Sequence, residues 1–278
     1  MELARDPNTE ILIKFDDVDS FKVLINLIND IFNSQSLFWI FNDKFVKFHD
    51  RIDNKKTDNY LDIDCRFKTH KLTKYKFKSK FDIYVLQLEL NKLIKSIKNY
   101  NSKKGDTITI SRNKKTIKIY KNNSYYDLIA EKEFTEDFEI FVPFEYQSYP
   151  FKPVAVVNIS YFCDICKEYL RSEYDSIPVY VYANTVALVF KTDSNKSSTI
   201  RLFGENIDIN QTPQWKCAIS TQILYKLSKI EKLCPNGNVR IYMELKNKQI
   251  SLPMRITLSI GDMGVVDFYL KTKLINDK

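Results

Sequence analysis

Two stretches far apart in the chain carry the same amphipathic pattern. On a helix each residue turns about 100° from the last. In Leu90–Tyr100 (LNKLIKSIKNY) this gathers Leu90, Leu93, Ile94, Ile97 and Tyr100 on one side and Lys92, Lys95 and Lys98 on the other. Ile223–Leu233 (ILYKLSKIEKL) repeats it, with Ile223, Leu224, Leu227 and Ile230 opposite Lys226, Lys229 and Lys232. Solvated helix faces usually interleave Glu with Lys and gain i,i+4 pairing. The first ladder has no acid among its lysines, and the second has only Glu231, which the helical turn points away from them. The pattern predicts two helices that bury one stripe and hold a basic face toward a polyanion.

The remaining elements follow from the same periodicities. Glu10–Phe15 alternates as a strand, and Phe21–Phe32 is a helix with a broad apolar stripe, capped by Asp19 or Ser20 and showing Lys22, Asn26 and Asn29 on its polar side. Leu37–Phe41, Phe45–His49, Tyr60–Phe67, Tyr75–Lys80, Thr107–Ser111 and Thr116–Lys121 read as short strands, with Gly105 ending the first laddered helix. Residues 122–150 break the rhythm with a run of acids (Glu131, Glu133, Glu136, Asp137, Glu139 and Glu145) and interspersed aromatics. They read as a mostly extended linker lying across a surface, held by Leu128, Ile129, Phe134 and Phe138.

After the linker the order starts again. Val154–Ile159 is a strand, and Tyr161–Tyr174 a helix with Phe162, Ile165, Cys166, Tyr169 and Leu170 buried and Lys167 and Arg171 opposite. Strands follow at Pro178–Tyr182, Val186–Lys191, Thr199–Phe203 and Glu205–Ile209, then the second laddered helix, then Val239–Leu245, Ser251–Ile260 and Val265–Lys273. Phe21, Leu24 and Ile28 stand at one constant offset from Phe162, Ile165 and Tyr169, and Lys95 and Lys98 at a similar offset from Lys226 and Lys229. This is the signature of an internal duplication. The expected organisation is an α+β chain of two like domains, 1–121 and 151–278, joined by the linker 122–150, each with its helices on one side of its sheets.

Composition narrows the chemistry. A 44% hydrophobic chain of 278 residues can build a sizeable core, and its net charge of +8 suits a polyanion. Five cysteines (65, 163, 166, 217 and 234) fit no secreted disulfide framework, and no apolar run reaches a membrane span, so the expectation is an intracellular protein. Five glycines and no phosphate-loop motif leave nucleotide binding without a cradle. His49 and His70 have no nucleophile beside them in sequence and read as surface residues. Cys163 and Cys166 could be half of a zinc site, but no second pair completes it, and they lie at the apolar edge of their helix as buried thiols would. Asp62 and Asp64 could hold a nuclease metal; two apart on a strand, they more simply share a solvent side.

Ser259–Lys273 (SIGDMGVVDFYLKTK) resembles the last hairpin of the eukaryotic-type DNA sliding clamps, the family of proliferating cell nuclear antigen. The specific parts are Gly261-Asp262-Met263-Gly264, then Phe268-Tyr269-Leu270, with Pro253 upstream. The duplicated order, linker position and length extend the resemblance over nearly the whole chain. It implies the clamp fold and a non-catalytic, cofactor-free homotrimeric ring. Lys22, Lys92, Lys95, Lys98, Lys167, Arg171, Lys226, Lys229 and Lys232 would then face double-stranded DNA without reading its sequence. It implies that an edge strand at 114–122 pairs with one at 197–205 of the next subunit, with Ile117, Ile119, Ile200 and Leu202 at the seam. It also implies a pocket for short peptide motifs of DNA polymerase and other replication proteins, walled by Pro253, Tyr269 and Leu270, with Leu61, Ile63, Phe134 and Phe138 as further candidates. A clamp loader and a nuclear or viral replication site would follow. A hetero-oligomeric checkpoint or transcription scaffold of the same fold is the alternative. Lys271, the enlarged loop 51–59 and the weakly basic first helix depart from the family's pattern.

Overall fold

The computed structural model describes residues 9–33, 36–54, 59–100, 106–113, 116–121, 124–128, 130–134, 153, 155–168, 178–183, 188–192, 199–202, 216–242, 245–246, 250–251, 253–271 and 273–274. The chain is α+β and divides into two compact units. The first comprises residues 1–50, 64–140 and 259–266, the second 51–63, 141–258 and 267–278.

The first unit runs β1 (Glu10–Phe15), α1 (Val18–Phe32), β2 (Ser36–Phe41), β3 (Phe45–Asn54), β4 (Asn59–Lys68), β5 (Lys74–Lys78), β6 (Tyr84–Glu89), α2 (Leu90–Ile97), β7 (Ile108–Asn113), β8 (Thr116–Lys121), β9 (Ser124–Leu128) and β10 (Ala130–Phe134). The tip of the β3–β4 hairpin counts with the second unit. One antiparallel sheet has the order β5-β1-β7-β8-β9, and the other runs β10-β6-β2-β3-β4. Helix α1 buries Val18, Phe21, Leu24, Ile25, Leu27, Ile28, Ile31 and Phe32, each worth about 1.5–3 kcal/mol relative to exposure. Phe21 meets Phe15 at 4.5 Å, Phe48 at 6.0 Å and Trp39 at 6.3 Å between ring centroids. The stripe thus joins strands from both sheets in one aromatic core.

Helix α1 begins three residues before the expected Phe21. Asp17, rather than Asp19 or Ser20, is its cap, and its Oδ1 accepts from the Ser20 backbone N–H at 3.0 Å. The turn of the C-terminal hairpin, residues 259–266, packs in this unit. Lys68 N–H donates to the Met263 carbonyl at 3.0 Å. Gly264 lies so close to β4 that a Cβ there would meet the Arg66 carbonyl oxygen at 2.2 Å. Gly261 takes a left-handed φ of 48° in the turn.

The second unit runs β11 (Ala155–Asn158), α3 (Ile159–Glu168), β12 (Pro178–Ala183), β13 (Leu188–Thr192), β14 (Thr199–Leu202), β15 (Lys216–Ser220), α4 (Thr221–Leu227), β16 (Asn238–Tyr242), β17 (Leu245–Lys246), β18 (Ile250–Ser251), β19 (Met254–Ile260), β20 (Gly264–Lys271) and β21 (Lys273–Leu274). One antiparallel sheet has the order β14-β13-β12-β15-β21, a second runs β20-β19-β16-β11, and β17 pairs with β18. Asn158 caps α3, its Oδ1 accepting from the Ser160 N–H at 3.0 Å. Helices α3 and α4 pack together.

Two element-level expectations change. The segment 122–150 begins not as a surface-lying linker but as strands β9 and β10, paired to β8 and β6; residues 135–150 lie outside the described residues. The helix expected over Ile223–Leu233 stops at Leu227 and resumes as a 3-10 turn, Ile230–Leu233. Ser228 sits at the break. Its hydroxyl donates to the Tyr225 carbonyl at 2.6 Å, satisfying an acceptor the continuing helix would have used. The expected strand Glu205–Ile209 and the end of the helix to Tyr174 lie outside the described residues, as does Gly105.

Candidate nucleic-acid interface

The first ladder survives the move from pattern to structure. Leu90, Leu93 and Ile97 of α2, and Tyr100 just beyond it, are buried, and Ile94 is half-buried. Lys92, Lys95 and Lys98 are exposed on the other side. Burial raises the Tyr100 hydroxyl to a pKa of about 12, helped by Tyr126 and Asp106 nearby. Lys92 pairs with Glu89 at 2.6 Å, an acid outside the ladder itself. Such an exposed pair is worth at most about 1 kcal/mol, so an incoming phosphate can compete with it.

Lys22 has another task. Its Nζ donates to the carbonyl oxygens of Lys98 at 3.0 Å and Tyr100 at 2.8 Å. Those carbonyls lie just past α2, where helix carbonyls lack intrahelical partners and the macrodipole is negative. Lys22 therefore ties the start of α1 to the end of α2.

In the second unit, Lys167 is exposed and shared between Asp164 at 2.9 Å and Glu231 at 3.7 Å. Its pKa is raised, chiefly by the bond to Asp164. Glu231 does turn from the second ladder, and α3 uses it. Lys226 and Lys229 are half-buried, and Lys232, beyond the helix break, is exposed. Burial lowers the Lys226 pKa, with the Lys229 charge adding to the effect. The Lys229 ammonium stands 5.6 Å from the Tyr225 ring centroid. Arg171 lies outside the described residues.

The residues proposed for a peptide pocket separate by face. Alternation puts Leu61, Ile63, Cys65 and Phe67 on the core side of β4, and Leu61 and Ile63 have no exposed surface. Likewise Leu270 shares the core side of β20 with Val266 and Phe268. These three are core residues, a correction to their expected place on a pocket wall. Pro253 and Tyr269 are buried as well, Tyr269 on the opposite side of β20, beside Asp267. On that side Arg255 Nε donates to Asp267 Oδ1 at 2.9 Å, the Thr257 hydroxyl donates to the same oxygen at 2.5 Å, and the guanidinium stacks on Tyr242 at 4.9 Å. Phe134 belongs to β10, where its backbone pairs with Val85; Phe138 lies outside the described residues.

Asp62 and Asp64 do share one side of β4, but both are buried rather than solvated. Arg51 pairs with Asp62 at 3.5 Å, and Lys47 and Arg66 with Asp64 at 3.2 and 3.9 Å. Carboxylates neutralised by cations in this way are structural pairs. His70 is exposed and His49 half-buried. Cys163 and Cys166 are fully buried, and burial pushes the Cys163 thiol up to about 12. Among the described residues no three His, Cys, Asp or Glu side chains converge on a metal position.

Strand β8 is not an edge. Strand β9 pairs along it, with Ile117 opposite Leu128 and Ile119 opposite Tyr126, and both isoleucines are buried. At this end of the sheet the edge is β9, one strand later than expected. In the second unit β14, which carries Ile200 and Leu202, is an edge as expected.

No protein-family model matches the chain, and no curated protein matches it by sequence. Solved structures do. The chain is similar to a PCNA2–PCNA3 complex from Sulfolobus tokodaii, with a TM-score of 0.65 and 17% identity over 94% of this chain and 99% of that one. It is similar to PCNA from Thermococcus kodakaraensis, with a TM-score of 0.68 and 18% identity over 95% of this chain and 100% of that one. It is also similar to proliferating cellular nuclear antigen from Entamoeba histolytica, with a TM-score of 0.70 and 14% identity over 95% of this chain and 98% of that one. The chain has the fold of the PCNA sliding clamps.

Proposed function

We propose that this chain, built on the clamp fold, is a DNA sliding clamp: a non-catalytic ring of three copies that encircles duplex DNA and tethers replication enzymes. The observation that carries the reading is α2, where three lysines stand exposed on one face with the apolar stripe fully opposite them. A duplex carries about one charge per 1.7 Å of axis. Ammonium groups on flexible stems meet that charge without bidentate contacts to bases, so they hold DNA while imposing no sequence. Lys167, Arg171, Lys226, Lys229 and Lys232 would meet the same polyanion from the second unit. Lys22 would contribute mainly by fixing α2 in place. The edges β9 and β14 are the strands that would pair between copies, closing the ring and removing two exposed edges. Peptides of polymerases and a clamp loader would dock near Pro253 and Tyr269 of the second unit.

The test is polymerase processivity on a primed circular template. Changing Lys92, Lys95 and Lys98 together to Glu should leave folding and assembly intact, because all three are exposed, and should shorten retention on DNA and steepen its salt dependence. Processivity unchanged from wild type would refute the assignment. A second reading is a subunit of a hetero-oligomer, favoured by one observation: a similar structure is a complex of two different chains, PCNA2 and PCNA3.

A further inference from the structure

Four large hydrophobic side chains are exposed among the described residues: Tyr125, Tyr126, Tyr161 and Tyr225. The first two lie on the edge strand β9. The other two lie on the packed helices of the second unit, Tyr161 on α3 at 45% exposure and Tyr225 on α4 at 41%. Helical spacing places Tyr161, Asp164 and Lys167 in one row on the exposed side of α3. Tyr225 lies one turn before Lys229, whose ammonium stands over its ring. The exposed residues of α2 and its following turn are Asn91, Lys92, Lys95, Lys98 and Asn99, with no aromatic among them.

The two laddered helices therefore differ in kind. Ammonium groups suffice for a duplex, whose bases stack on one another and present only edges and phosphates. A flat ring held in the open beside lysines suits a base that has lost its stacking partner. Charge separates this from a protein-docking patch: the Tyr225 ring has the Lys229 ammonium over it, Tyr161 shares its row with the charged pair Asp164–Lys167, and burial has already cost Lys226 part of its affinity for a proton. An arriving phosphate offsets that cost; an apolar protein surface would deepen it.

We propose that the α3–α4 face of the second unit binds single-stranded nucleic acid, with lysines on the phosphates and Tyr161 and Tyr225 stacked on unpaired bases. The proposal rests on the reading of the helix lysines as facing nucleic acid, and it adds a preference that a purely duplex-encircling surface would lack.

Fluorescence anisotropy of the full chain at low salt tests it with two probes, a labelled oligothymidylate and a duplex of equal length. Changing Tyr161→Ala and Tyr225→Ala together should weaken oligothymidylate binding at least about tenfold, since one stacked base is worth about five- to a hundredfold. Duplex binding should stay within about twofold. Changing both to Phe keeps the rings and should preserve both affinities. Lys226→Glu with Lys229→Glu should weaken both probes, and an unchanged result there overturns the underlying lysine reading instead. Stacking is overturned if wild type fails to bind the single strand, or if the alanine pair keeps that affinity or loses both probes equally. Irradiation of a 5-bromouracil strand on the unaltered chain gives a second readout. Cross-links should map to peptides containing Tyr161 or Tyr225, and their appearance only elsewhere overturns the proposal.

Discussion

Lys22 shows how a residue's type and position can suggest one role and its contacts another. On the helical wheel it is a basic residue on a polar face; in the structure its ammonium bonds two carbonyls at the end of α2. Changing it to Ala should cost about 1 kcal/mol of stability in urea unfolding, whereas Lys95→Ala, on the exposed ladder, should stay within about 0.5 kcal/mol. Equal effects would remove the distinction between a tying lysine and a facing one. The cysteines make the opposite case, where pattern and structure agree. Because burial holds the Cys163 thiol near a pKa of about 12 and raises that of Cys166 well above its usual value, neither forms the reactive thiolate at neutral pH. A thiol-reactive reagent should label them only after unfolding; rapid labelling of the native chain would contradict their packing.

At the scale of elements, amphipathic period was the dependable signal and interruption the hidden one. The stripes of α1 and α2 could be read directly because a core face several turns long leaves a repeated mark. The break after Leu227 and the added strand β9 could not, since one serine hydroxyl decides the first and sheet pairing the second. The same limit misplaced Leu61 and Ile63: on a strand with both faces covered, hydrophobicity does not say which face is the core. The C-terminal hairpin was legible through its glycines, and packing supplies the reason for one of them. Gly264→Ala would drive a Cβ into the backbone of β4 and should cost about 3 kcal/mol. Gly261→Ala, which meets the strain of its positive φ and only side-chain oxygens, Asp17 Oδ2 at 3.2 Å and Ser20 Oγ at 3.5 Å, should cost about 1 kcal/mol. Thermal unfolding of the two variants would show whether the difference has that order.

For the whole molecule, the decisive quantity is assembly. Two regular edges, β9 and β14, on one chain are a liability in isolation and a connection when copies meet. Sedimentation of the purified chain should give a mass three times that of the monomer. A strict monomer that trimerises only with a different chain would favour the hetero-oligomeric scaffold.

Sequence alone determined the fold class, the amphipathic helices and the hairpin glycines, because these are written in local periods and in steric needs that neighbours along the chain impose. Tertiary structure alone decided which lysines stand clear and which are tied, that Asp62 and Asp64 are buried in ion pairs, and which strand is left at the edge. Those outcomes depend on groups distant in sequence, brought together by burial and hydrogen bonding, and no local pattern records them.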